Sequence, residues 1–211
     1  KVRFGSLAAD SEFFISDTAV HFLNDTFGWP GITASNMTQT GPGYPLTSMG
    51  VRVEVNPTEN LKILSGFFNA SPADPNADDP QVDNRHGTDF RLGDGLLMMI
   101  EGQFSYGATL NGVLRVGGWK QFNDGFADFV TGEVQEGSSG VYAIVDQTIW
   151  KGSGDSSIAV FGRISASSEQ QNLMDFYFDT GIVFAGLIDG RPKDSFGIAY
   201  VYGNISDRFV E

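Results

Sequence analysis

The sequence contains no cysteine. Disulfide scaffolds, cysteine zinc sites and thiol chemistry are excluded, while the compartment stays open. Histidine is nearly as scarce, with His21 and His86 alone. A Ser–His–Asp site would have to use one of them, and neither lies near a Gly-x-Ser-x-Gly elbow. Both read as structural or loop histidines. Positive charge is also short: 13 Lys plus Arg stand against 26 Asp plus Glu, a net charge of −13. Nucleic acid is excluded as a partner, because phosphate binding needs clustered cations that release counterions. Long apolar runs are missing too. The longest stretch without polar residues or glycine is Leu96–Ile100, far below the ~20 residues of a membrane helix.

What is present points elsewhere. Glycine contributes 27 of 211 residues and aromatics 13%, while charged residues fall to 18%. The usual values are about 7% for glycine and about 25% for charge, so the bias is that of a large β-protein. The clearest strand is Leu173–Ala185, with Met174, Phe176, Phe178, Ile182 and Phe184 on one parity and Asp175, Tyr177 and Asp179 on the other. Such alternation gives a strand one apolar and one polar face. Gly50–Asn56, Leu61–Asn69, Gly95–Tyr106, Gly112–Gln121, Gly140–Trp150, Ser157–Ser165 and Ser195–Ile205 follow the same rule, and Lys1–Ala8 reads as the end of another strand. Several of these lengths suit a tilted membrane strand of ~9–11 residues better than the five or six usual in soluble sheets. Tight turns at 56–60, 107–111 and 151–156 alternate with long links at 70–94, 122–139 and 166–172. An up-and-down barrel has that rhythm, with short turns on one rim and long loops on the other.

The chain reads as a single domain over 1–211, with residues 11–49 set apart as a long pore-associated loop. Within it, Asp17–Asn24 is expected to form a short helix capped by Asp17, after which Phe27-Gly28-Trp29-Pro30-Gly31 breaks regular structure. A soluble sandwich would bury the apolar parity of the strands, whereas a membrane barrel would turn it to lipid; both predict the same alternation. Trp119, Trp150, Tyr142, Tyr106, Tyr200 and Tyr202 sit near segment ends, where interfacial aromatic girdles belong, and this favours the barrel. A soluble carbohydrate-binding β-sandwich remains the alternative.

Ordered motifs sharpen the choice. Ala9-Asp10-Ser11-Glu12-Phe13-Phe14-Ile15-Ser16-Asp17-Thr18-Ala19 comes first, then Phe27-Gly28-Trp29-Pro30-Gly31, Tyr44-Pro45-Leu46, Gly50-Val51-Arg52-Val53 and His86-Gly87-Thr88. Gly117-Gly118-Trp119, Gly140-Val141-Tyr142-Ala143, Asp146-Gln147, Val160-Phe161-Gly162-Arg163, Asn172-Leu173-Met174-Asp175-Phe176-Tyr177, Gly190-Arg191-Pro192 and Ile205-Ser206-Asp207 complete the series. In this order they resemble the carbohydrate-selective outer-membrane porins, the OprB family. The resemblance implies an all-β, antiparallel up-and-down transmembrane barrel of about sixteen strands in the bacterial outer membrane. Such a barrel passes monosaccharides such as glucose by passive diffusion, without an enzymatic step or a cofactor. Its expected partners are the sugars, outer-membrane lipid and, as an open option, further copies of itself. At roughly 25 residues per strand and connection, sixteen strands need about 400 residues. The chain is therefore expected to supply eight or nine strands from the central portion of such a barrel.

Sugar selectivity calls for planar polar groups that meet vicinal hydroxyls and aromatic faces that meet the apolar side of the ring. Arg52, Arg115 and Arg163, opposite Glu101, Asp146, Asp175 and Asp179, are the candidates for the first; Trp29, Tyr44 and Tyr177 are those for the second. Structural ion pairs and loop anchoring are the plainer roles for the same residues. Two further patterns carry less. Asp74-Pro75-Asn76-Ala77-Asp78-Asp79 starts like a calcium loop but has Asp79 where glycine is needed and Arg85 where the bidentate glutamate belongs. It reads as a solvated loop, with Asp83 as an added carboxylate. Asp175 and Asp179, four apart on a strand, are ~13 Å apart, too far for a glycosidase pair.

Overall fold

The computed structural model describes residues 1–154 and 156–210. The alternating segments form β1 (Val2–Leu7), β2 (Ser48–Val55), β3 (Leu61–Asn69), β4 (Leu96–Tyr106) and β5 (Gly112–Phe122). A two-residue pair follows, β6 (Phe126–Ala127) with β7 (Val134–Gln135). The series then resumes with β8 (Ser139–Lys151), β9 (Ser157–Ser167), β10 (Met174–Ala185) and β11 (Ser195–Ile205). Nine of these strands make one sheet in the order β1-β2-β3-β4-β5-β8-β9-β10-β11, each antiparallel to its neighbours. This is a meander of the expected size.

Because every strand reverses direction, alternate connections fall on the same rim. The turns at 56–60, 107–111 and 186–194 share one rim; the links at 8–47, 70–95, 123–138 and 168–173 share the other. Of the turn expected at 151–156, Asp155 lies outside the described residues. The small β6–β7 hairpin and a single helical turn at Pro80–Asp83 sit inside long links. Both are too short to leave a periodic signature.

The two faces of the sheet differ as the alternation demands. Val51, Phe67, Ile100, Val116, Val141 and Ile164 lie on the outward face and are exposed. Among the described residues no second sheet covers them, so the sandwich alternative is not what forms. The inner face is covered by the link between β1 and β2. Residues 8–47 fold back across it, and Phe13, Phe14, Ile32 and Met37 pack onto Leu64, Phe68, Leu97, Met99 and Ile144. Each fully buried large side chain contributes about 1.5–3 kcal/mol. A smaller cluster joins Ala19 and Phe27 to Phe161, with Phe22 tilted against both rings.

Two expectations need correcting here. Asp17 does not cap a helix over Asp17–Asn24. A single 3-10 turn spans Ala19–His21, and the Ser16 hydroxyl accepts from the amides of Thr18 and Ala19. The Phe27–Gly31 motif does interrupt regular structure, at Trp29 and Pro30, whose backbone is not helical. Its two ends belong to α1 (Asp25–Gly28), whose N-cap is Asn24, and α2 (Gly31–Asn36), entered at Pro30. Proline's fixed φ suits a helix entry as well as a loop. The aromatic girdle also changes membership. Tyr106, Trp150, Tyr200 and Tyr202 are exposed, whereas Trp119 and Tyr142 are buried on the inner face beneath the folded-in segment.

Candidate functional site

The site is built where inward charges of the strands meet residues 8–47. Four groups of strand side chains latch the segment in place. On β8, the Asp146 carboxylate accepts from the Ser16 hydroxyl (2.5 Å), the Thr18 amide (3.0 Å) and the Asp17 amide (3.3 Å). Arg115 on β5 donates to Asp146 at 2.5 Å and, through its other terminal nitrogen, to Asp17 at 2.5 Å. One guanidinium thereby ties a barrel strand to the loop.

The second latch is Glu101 on β4. It accepts from the Phe14 amide (2.9 Å), the Tyr142 hydroxyl (2.8 Å) and the Gln103 amide (2.6 Å). Phe14 stacks on Tyr142, with centroids 4.0 Å apart and planes 6° from parallel. It has φ 61°, a left-handed conformation that is costly for a side chain of this size. The stacked ring and the bonded amide hold it there.

The third latch is the most enclosed. Arg163 on β9 and Asp179 on β10 stand directly opposite in register, and neither side chain has exposed surface. Arg163 donates to both oxygens of Asp179 (3.0 and 2.5 Å), to the Gly28 carbonyl (3.2 Å) and to the Thr26 carbonyl (2.9 Å). Tyr177 donates to Asp179 at 2.6 Å and meets the Thr26 hydroxyl at 2.8 Å. The guanidinium's rigid fork satisfies the pair and the end of α1 together. At the fourth, Arg52 on β2 pairs with Glu12 of the segment and, at 3.0 Å, with Glu54, while Arg3 joins Glu12 at 2.9 Å.

The arginines expected opposite the acidic residues instead stand beside them, in pairs beneath a covering segment. The structure brings Arg115 together with Asp146, and Arg163 with Asp179 and Tyr177. Asp175 stands apart, at the register shift where β10 meets β11, and accepts from Asn204 at 3.0 Å. Trp29 is half-buried and donates its indole N–H to the Phe13 carbonyl at 3.1 Å. Tyr44 is 87% exposed, held by its amide to Asp10 at 2.7 Å. Burial pushes the Asp10 carboxyl above the usual carboxylate range, and the Tyr44 amide only partly offsets this.

Residues not read from the sequence complete the latches: Glu12, Ser16, Thr26 and Asn36. Asn36 both donates to the Met174 carbonyl and accepts from its amide, fixing α2 to β10. The Ser16-Asp17-Thr18 run is a local capping signal, but nothing local shows that its partner lies 130 positions away. Among the described residues there is no group of three His, Asp or Glu side chains placed to hold a metal ion. The acidic loop is tied internally instead. The Asn76 amide, and secondarily Arg91, hold the Asp74 carboxyl below its usual range.

This geometry has counterparts. Pseudomonas putida OprB in its high-pH structure matches with a TM-score of 0.81 at 20% identity, over 99% of this chain and 51% of that one. The low-pH structure of the same protein gives 0.56 at 17% identity, over 97% and 47%. The chain therefore spans about half the length of these structures, and they share its fold. None of the curated proteins compared matches it. The family model described as carbohydrate-selective porin, OprB family, matches residues 1–211, so the chain belongs to that family of bacterial outer-membrane porins.

Proposed function

We propose that these residues build one wall of a water-filled pore through which monosaccharides such as glucose diffuse down their gradient, with residues 8–47 narrowing the passage. The observation that carries this is the contrast between the faces. An exposed apolar parity suits acyl tails, while the opposite parity spends its charges on holding a loop inside the sheet. A channel needs a constriction that is fixed in place yet binds its solute weakly enough to release it.

In this reading the candidate residues divide their work. Arg163, Asp179, Tyr177, Glu101, Asp146 and Arg52 are positioning residues, since their exposed surface is small or nil. Tyr44 and Trp29 offer aromatic faces to the sugar, and Arg115 holds Asp17, whose side chain is 73% exposed, for its hydroxyls. Asp175 supports the strand end. No bond is made or broken in the solute, and its flux follows its own gradient.

Liposomes carrying the complete porin test it. Swelling in isotonic glucose is expected to outpace swelling in a disaccharide, and Tyr44→Ala is expected to change the glucose rate with little effect on ion conductance. Equal rates for both sugars would defeat the selectivity, and no swelling at all would defeat the pore.

A further inference from the structure

The outward face has a marked gap. Elsewhere large side chains stand abreast, as Phe104, Leu114 and Val145 do on β4, β5 and β8. Nearer the long-loop rim the row reads Ile100, Gly118, Val141, Ala166 across β4, β5, β8 and β9. The next row toward the rim is Met98, Lys120, Ser139. The missing side chains leave an open hollow of about 480 Å³ between Met98 and Ile100 on one side and Val141 on the other. It cannot be closed by a side chain at Gly118, because a Cβ there would lie 2.8 Å from the Gly140 carbonyl oxygen. Backbone packing keeps it open.

At its rimward edge stands Lys120. Among the described residues it is the one cation on the outward parity at this end of the strands. Its ammonium lies 5.3 Å from the centroid of the Phe122 ring, which holds the charge at the edge of the apolar band. An apolar slot capped by a single cation matches an amphiphile with an anionic head and a hydrocarbon tail. In a porin the long-loop rim faces outside, so the amphiphile belongs to the outer leaflet.

We infer that this hollow is a lipid site, taking one acyl chain of a phosphate-bearing outer-leaflet lipid whose phosphate pairs with Lys120 beside the Ser139 hydroxyl. The site rests on the outward face alone and is independent of what passes through the pore. A lysine facing an anionic headgroup is worth about fivefold in affinity.

Native mass spectrometry of the complete porin, exchanged from detergent with phosphatidic acid or with phosphatidylcholine of equal chain length, tests it. The wild-type protein is expected to retain one phosphatidic acid per chain in preference to phosphatidylcholine. Lys120→Gln is expected to weaken phosphatidic acid about fivefold and leave phosphatidylcholine unchanged. Ala166→Leu, an exposed position, is expected to weaken both by filling the slot. Heat-modifiable gel mobility checks that each variant has folded. Wild-type retention in both variants would overturn the proposal. So would a changed subunit number in Ala166→Leu with lipid retention unaltered, which would make the hollow a contact between copies.

Discussion

Among single residues, the Arg163–Asp179 pair is where most is at stake. Two opposite charges without exposed surface have given up all hydration, and they persist because nearly every donor and lone pair is used. Removing one partner strands the other. Arg163→Ala is expected to destabilise the folded barrel by about 3–5 kcal/mol, read as a drop in the denaturant midpoint in detergent, with Arg163→Met/Asp179→Leu recovering much of it. The exposed pair Arg191–Asp194 sets the comparison, since Arg191→Ala is expected to cost about 0.5 kcal/mol or less. Equal effects at the two places would show that burial is not what makes the inner pair matter. The polarity of these positions was legible from parity alone, since Arg163, Asp179, Asp146 and Glu101 all fall opposite the apolar side chains. Their partners were not. Trp119 and Tyr142 show the same limit: a strand-end aromatic reads alike whether it faces lipid headgroups or a loop folded against it.

At the scale of elements, the strands could be read because each carries its own period, and their ends fall close to those expected. Ser48–Val55 against Gly50–Asn56 is typical. The segment 8–47 could not be read, because its order comes from the sheet below it; α1 and α2 are only four and six residues long, too short to be stable alone. A latch whose removal leaves no buried charge unpaired, as at Phe14, should therefore control the pore more than the barrel. Phe14→Ala removes the stacked ring but leaves every strand pairing intact. It is expected to raise single-channel conductance and open-channel noise in planar bilayers while leaving the heat-modifiable gel shift in place; unchanged conductance would detach the latch from the constriction. The β6–β7 hairpin on the same rim offers a pH test. Asp128 accepts from the amides of Thr131 and Val130 (2.9 Å each) and pairs with Arg208, and these hold its carboxyl below the ordinary 3.8. A depressed carboxylate stabilises the fold when ionised. The contribution is complete above the unfolded value and is lost as pH falls through the lower folded one. Protection of the Val130 and Thr131 amides from hydrogen exchange should hold at pH 5 and 6 and fall below about pH 4, and a profile flat to pH 3 would contradict it.

For the whole molecule, the question is which environment each face of the sheet meets. The nine strands of the sheet pair in chain order, so among the described residues β1 and β11 each bond to a single neighbour. Strands one and nine of a meander run in the same direction, so pairing them would require a parallel contact, whereas bacterial barrels close with an even number of antiparallel strands. Together with the match to half of a Pseudomonas putida OprB chain, this assigns the sheet to the wall of a larger barrel. Lipid must then lie against Val116, Val145 and Ile164, and a charge placed among them should cost what a bilayer charges for it. Val145 is the middle residue of β8 and stands opposite Gly162, the middle residue of β9, so it lies well inside the strands. Val145→Arg is expected to lower stability in lipid vesicles by about 2–4 kcal/mol, whereas Lys151→Arg at the short-turn end should change it by less than about 1 kcal/mol. The two environments predict opposite contrasts. On an exposed aqueous face Val145→Arg would be nearly neutral, since surface substitutions there stay within about 0.5 kcal/mol. Denaturant titration of the complete porin in vesicles decides between them: a tolerated arginine at Val145 would place water, not acyl chains, against the apolar parity, and the barrel reading would fail with it.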